Sequence, residues 1–98
     1  MTYDKETTWR IDFHKALGNP VRLQIVDFLA KGEQCQCDIF PQIGLGQPTV
    51  SAYLTQMVRA GILKVRKDGT RKLYSIASPT ILRAIESLRG LAEKQVNV

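Results

Sequence analysis

Two short amphipathic helices, a glycine-rich turn into a helix with a polar outer face, and a basic strand–Asp-Gly–strand run behind it predict a winged helix-turn-helix. The expected fold is mainly α with a small β-hairpin: about five helices and a two-stranded wing. The 98 residues make one domain, 1–98. A chain of this length buries only roughly 60–65% of its unfolded surface, so one modest core is expected.

Trp9, Phe13 and Leu17 recur at i, i+4 and i+8 and define a first helix over about 7–17. Thr7 or Thr8 is placed to cap it and Gly18 to end it. Asn19 then reads as the cap of a second helix, with Pro20 at the first helical position, where the missing N–H costs nothing. Val21, Ile25, Phe28 and Leu29 give that helix its inner face. A short third helix is expected from near Cys37 to Ile43, with Pro41 tolerated in about its first turn. Gly44-Leu45-Gly46 is a turn. The fourth helix has Val50, Leu54, Met57 and Val58 on one side, and Gly61 stops it. Ile62 to Lys67, Asp68-Gly69 and Thr70 to Ile76 read as a hairpin, because a type I′ turn needs positive φ at both central residues. Ser78-Pro79 starts a last helix, over about 79–92, with the stripe Ile81, Ile85, Leu88; the tail from Glu93 is expected to fray.

Composition excludes several classes. The hydrophobic fraction is 44% and the charged fraction 23%, too apolar for a disordered chain. No apolar run approaches the ~18–20 residues of a membrane span, and no apolar stretch follows a basic start, so neither a span nor a secretory leader is expected. Two cysteines one residue apart cannot build the disulfide framework of a small secreted fold, which points to a reducing, cytoplasmic setting. One histidine, no convincing carboxylate pair and no phosphate-binding glycine loop argue against an enzyme.

The charge is concentrated. The net charge is +5 overall, and residues 59–72 alone carry it: Arg59, Lys64, Arg66, Lys67, Arg71 and Lys72 stand against Asp68. A basic edge on a near-neutral body fits a polyanion met at one side. The outer face of the fourth helix carries Gln47, Pro48, Thr49, Ser51, Ala52, Tyr53, Thr55 and Gln56, rich in donors and acceptors and free of acids. Such side chains read base edges and grip phosphates in a major groove. With the wing cations Arg66, Lys67, Arg71 and Lys72, they form the candidate surface for double-stranded DNA. A protein-binding winged helix without a DNA role is the rival reading.

The run Gly46 to Leu54 followed by Arg59-Ala60-Gly61-Ile62-Leu63 resembles the recognition helix of the ArsR/SmtB family of bacterial and archaeal repressors. Asp68 to Ile76 is similar to that family's wing, and Ala16 to Ile25 to its second helix. The resemblance covers about residues 9–90. One departure is Gly46, where the family often has a serine cap. The resemblance implies a homodimeric repressor that leaves its operator when an inducer binds, with the first and last helices as the dimer interface. That role falls on Trp9, Phe13, Leu17, Ile81, Ile85 and Leu88. The terminal helix lacks His, Asp and Cys, so the family's metal site there is absent.

Cys35-Gln36-Cys37-Asp38 is the clue to an inducer. Two sulfurs at a helix start lie close together, and the helix N-terminus favours thiolate. Thiolates suit soft ions such as arsenite, antimonite, cadmium, zinc or Cu(I). The arsenic-responsive branch of the family has a similar Cys-x-Cys-Asp, often with a third cysteine where this chain has Phe40. A metal or metalloid site at Cys35 and Cys37, a redox switch, and a merely structural pair all remain open. An adjacent C-x-C bridge is expected to be strained, so oxidation is expected to favour other thiol partners. No cofactor is required. His14 is expected to face solvent.

Overall fold

The computed structural model describes residues 2–97 and has the element order α1 (Lys5–Leu17), α2 (Pro20–Leu29), β1 (Gln34–Cys35), α3 (Gln36–Ile43), α4 (Gln47–Arg59), β2 (Leu63–Asp68), β3 (Arg71–Ile76) and α5 (Pro79–Val96). Five helices and a wing are thus present, as the periodicity predicts.

The caps explain most of the boundaries. Asn19 Oδ1 accepts from Val21 N and Arg22 N at 2.9 and 3.1 Å, so Pro20 opens α2 as expected. Ser78 Oγ accepts from Ile81 N at 3.2 Å and starts α5. For α1 the cap is Asp4 rather than Thr7 or Thr8: its Oδ1 accepts from Thr7 N at 2.7 Å, so the helix begins at Lys5. That bond holds the Asp4 carboxyl below the usual carboxylate range. The tail also differs from expectation, since α5 continues through Glu93 to Val96.

Ile25, Val26 and Leu29 from α2, Ile39 from α3, and Val50, Leu54 and Met57 from α4 form the centre of the core, closed by Ile62, Leu63, Tyr74 and Ile76 below and by Phe13 and Ile85 at the side. Burial of Tyr74 pushes its phenol above the ordinary tyrosine range. Gly44, at φ 77°, ends α3 in the left-handed conformation that lets residues 44–46 turn the chain directly into α4.

The sheet has three strands, not two. β1 pairs antiparallel with β3 (Gln34 with Tyr74, Cys35 with Leu73), and β3 pairs with β2, giving the order β1-β3-β2. A two-residue strand leaves no alternation to read, so sequence pattern misses it. It explains why both Leu73 and Tyr74 are buried although successive strand residues face opposite sides. The hairpin turn also shifts by one residue. Asp68 pairs with Arg71, so the loop is Gly69-Thr70. Only Gly69 has positive φ, 65°. A glycine-first turn spares the β-branched Thr70 a left-handed backbone.

Candidate nucleic-acid interface

α4 turns Val50, Leu54 and Met57 into the core and leaves Gln47, Pro48, Thr49, Ala52, Thr55, Gln56 and Arg59 exposed. Its cap residue, Gly46, offers no side-chain hydrogen bond to the first turn. Pro48 has no N–H, and Thr49 N and Val50 N donate to Gly46 O at 3.1 and 3.2 Å, so what this end offers an anion is chiefly the positive end of the helix dipole. Four of the residues assigned to the outer face are engaged within the chain, among them Gln56, whose Oε1 accepts from Arg22 Nη1 at 2.6 Å. Ser51 is half-buried and its Oγ accepts from Gln36 Nε2 at 3.2 Å. Thr55 Oγ1 donates to Ser51 O at 3.0 Å. Tyr53 is half-buried beneath Arg22, whose guanidinium carbon lies 5.1 Å from the ring centre.

Beside α4 the wing closes a basic groove of about 520 Å³ lined by Thr55, Arg59, Arg66, Lys67, Lys72 and Tyr74, among others. Lys67 and Lys72 face each other in register across the hairpin. Arg71, with Lys72, which borders both, lines a second cleft with Cys35, Cys37 and Gln47. Arg66 is different. Its Nε and Nη2 donate to the two carboxylate oxygens of Glu33 at 2.9 and 2.7 Å, a bidentate pair that ties the wing to the loop before β1. Sequence separation hides this partner, which lies 33 residues away.

Arg66's hydrogen bonds outweigh the opposing effect of desolvation and, with smaller help from the charges of Arg66 and Lys64, hold the Glu33 carboxyl below the usual range. A depressed carboxylate contributes its pairing above the unfolded-state value and loses it only as pH falls through the lower folded value. The Glu33 carboxyl carbon is accordingly expected to titrate below the ordinary glutamate range by NMR. Glu33→Gln releases Arg66 at neutral pH. For a DNA-binding wing, that change is expected to steepen the log–log salt dependence of DNA binding by about 0.9 per freed arginine that reaches a phosphate. An unchanged slope would mean that Arg66 stays clear of the duplex.

Cys35 is 4% exposed, the last residue of β1 and the cap of α3, with its Sγ accepting from Cys37 N at 3.1 Å. Cys37 is exposed. The structure joins the two sulfurs in a disulfide, with Cα atoms 5.1 Å apart. The turn from strand into helix brings the two Cα atoms within ordinary disulfide reach. Among the described residues no group of three or more His, Cys, Asp or Glu side chains gathers to hold a metal. His14 is exposed, with Nδ1 2.7 Å from Arg10 O. Pro41 sits inside α3 rather than in its first turn, because the helix starts at Gln36. Without an N–H it leaves the Cys37 carbonyl lacking the usual helical partner.

The six residues assigned to a dimer surface divide. Phe13 and Ile85 are buried in the monomer's own core, and Leu17 and Ile81 pack partly against it. Trp9 and Leu88 are 47% and 54% exposed, and Trp9 stacks on Phe13 at 5.1 Å. Leu91 and Leu23, which the stripe analysis omits, are exposed beside them. Phe13, Leu17, Leu23, Ile85 and Leu88 line a largely apolar cleft of about 390 Å³ between α1, α2 and α5. Among the described residues, no helix is long and apolar enough to cross a membrane.

A helix-turn-helix packed against a cationic three-stranded wing defines the molecule as a winged helix-turn-helix domain. The model of the bacterial regulatory protein arsR family matches residues 19–65. The chain is 33% identical over 87 residues to a protein of Streptomyces lividans named "Probable mercury resistance operon repressor", covering 89% of this chain and 68% of that one. It is 36% identical over 62 residues to the arsenical resistance operon repressor of Staphylococcus xylosus, covering 63% and 60%. The solution structure of Mb0332 from Mycobacterium bovis, a homodimeric winged helix-turn-helix DNA-binding domain, superposes with a TM-score of 0.88 at 31% identity, covering 97% of this chain and 91% of that one. This chain belongs to the ArsR family of transcriptional regulators, which are DNA-binding proteins rather than enzymes.

Proposed function

We propose that the protein is a homodimeric repressor that grips operator DNA with α4 and the wing and is released when an inducer engages Cys35 and Cys37. The observation that carries this reading is the wiring of the cysteine segment to both DNA-facing elements. The Cys35 backbone is paired into the wing sheet through Leu73, and Gln36 bonds the recognition helix at Ser51. Drawing both sulfurs onto one ion must move residues 33–38, and α3, thinned by Pro41, resists weakly. The names of the relatives support a thiophilic inducer, arsenite or a soft metal ion. Two sulfurs suit such an ion, with solvent or a further group completing its shell. No resident cofactor is needed.

The disulfide supports a second reading, release by oxidation. Exposed Cys37 is the sulfur that an oxidant or thiol can reach, and buried Cys35 is the one that resolves it. Titration of the reduced protein with arsenite, mercuric ion, cadmium and zinc, following sulfur charge-transfer absorbance and DNA release together, separates the two. A typical coupling of ~1–3 kcal/mol would lower operator affinity about 5–150-fold. Protons compete for thiolate, so inducer binding should weaken as pH falls. Cys35→Ser with Cys37→Ser should keep DNA binding and lose release by every thiophile and oxidant. A wild-type protein that responds to none of them would make the pair structural.

A further inference from the structure

Tyr53 and Gln56, one helical turn apart on α4, are both held by a residue of another helix. Arg22, in the first turn of α2, donates from Nη1 to Gln56 Oε1 at 2.6 Å, covers the Tyr53 ring, and places Nη2 3.5 Å from Lys15 O. Its Nε is buried without a hydrogen-bond partner. Both acceptors are neutral, so no carboxylate cancels the guanidinium charge beside the Gln56 amide.

A guanidinium has donors only. The Gln56 atom that faces it must therefore be the carbonyl oxygen, however the two ends of an amide are otherwise assigned. A glutamine that reads adenine sets both ends side by side against the base edge, donating to N7 and accepting from the N6 amino group. Here the oxygen end is turned toward α2, and the end left for the groove is the NH2. Guanine offers two acceptors in the major groove, N7 and O6, whereas adenine sets an amino group beside its N7.

We infer that Arg22 is a specificity-positioning residue that makes Gln56 a donor-only reader, so that the base beneath Gln56 is guanine rather than adenine. The inference rests on the proposed placement of α4 in the major groove. The uncancelled charge of Arg22 works in the same direction, since it disfavours any amino group brought close to the amide.

The test is selection from a randomised duplex library with the full chain, comparing wild type with Gln56→Ala, Arg22→Lys and Arg22→Met, each checked for helix content and oligomeric state. The position whose base preference disappears in Gln56→Ala is expected to be guanine in the wild type. In Arg22→Met the freed amide should admit adenine there, with the guanine-to-adenine ratio falling about 10-fold while other positions stay unchanged. Arg22→Lys keeps the charge with a single rotatable donor, so it should give an intermediate ratio and serves if Arg22→Met does not fold. Equal weakening on every sequence, with a salt slope lower by about 1, would make Arg22 a phosphate contact and overturn the inference. So would a guanine preference unchanged in both Arg22 variants, or a Gln56→Ala profile identical to wild type. A wild-type chain that enriches no sequence would overturn the DNA-reading proposal itself, a distinguishable failure.

Discussion

Replacing Leu88 and Leu91 with glutamate is expected to give a folded monomer whose operator affinity is about 100-fold or more below that of the parent. Both side chains are more than half exposed, so neither change opens the monomer's core. Both lie on α5, where two charges per protomer would stand in an apolar surface that also includes Trp9 and Leu23. Two linked recognition helices gain avidity of roughly 10²–10⁴ over one, and this is what a monomer forfeits. Ile85 is the wrong residue for this test despite its place in the same stripe. It is 6% exposed and packed in the core, so a polar side chain there unfolds the protein and confounds the readout. Sedimentation that shows an intact dimer in the double variant would remove α5 from the interface.

Changing Lys67, Arg71 and Lys72 together to alanine is expected to abolish most DNA affinity at physiological salt without altering the fold. The three are exposed, and no ion pair among the described residues involves them. A dimer loses six cations, and if each neutralises one phosphate the log–log salt slope becomes shallower by about 5. Relative to 1 M salt, that corresponds at 0.1 M to a loss on the order of 10⁵ in affinity from counterion release. The loss should be equal on all sequences, since phosphate contacts position the protein but do not specify the site. A slope that stays the same in the triple variant would place the duplex elsewhere on the molecule.

Local sequence patterns predict the helices well and the tertiary connections poorly, for a physical reason. The caps Asn19 and Ser78 and the apolar spacing of α4 act within four residues of themselves, and each reads directly from the chain. β1 is two residues long and is defined only by its partner β3, almost forty residues later. The same holds for Glu33 with Arg66 and Arg22 with Gln56, whose partners are 33 and 34 residues away. Either pair could be guessed only from opposite charge or matching donors. Exposure follows the same rule. Ile85 and Leu88 share one stripe, and only the tertiary packing decides that Ile85 is covered and Leu88 is not. The sulfur pair lies between these extremes. Its chemistry is local and legible, while its proximity to Arg71 and Lys72 is a product of the sheet.

β1 grips the wing at Leu73 and Tyr74, partway along β3 rather than at its base. Four residues, Gly69 to Lys72, therefore overhang that point of attachment on the β3 side, a reach of roughly 13 Å at about 3.3 Å per residue. The wing is thus a lever with β1 as its fulcrum. A rotation of about 10° at Cys35 would sweep the tip by roughly 2 Å over that reach. A displacement of that size exceeds the tolerance of a 2.7–3.2 Å hydrogen bond to a phosphate oxygen. A small change at a buried thiol can in this way cost the wing its grip on the backbone while every strand of the sheet stays paired.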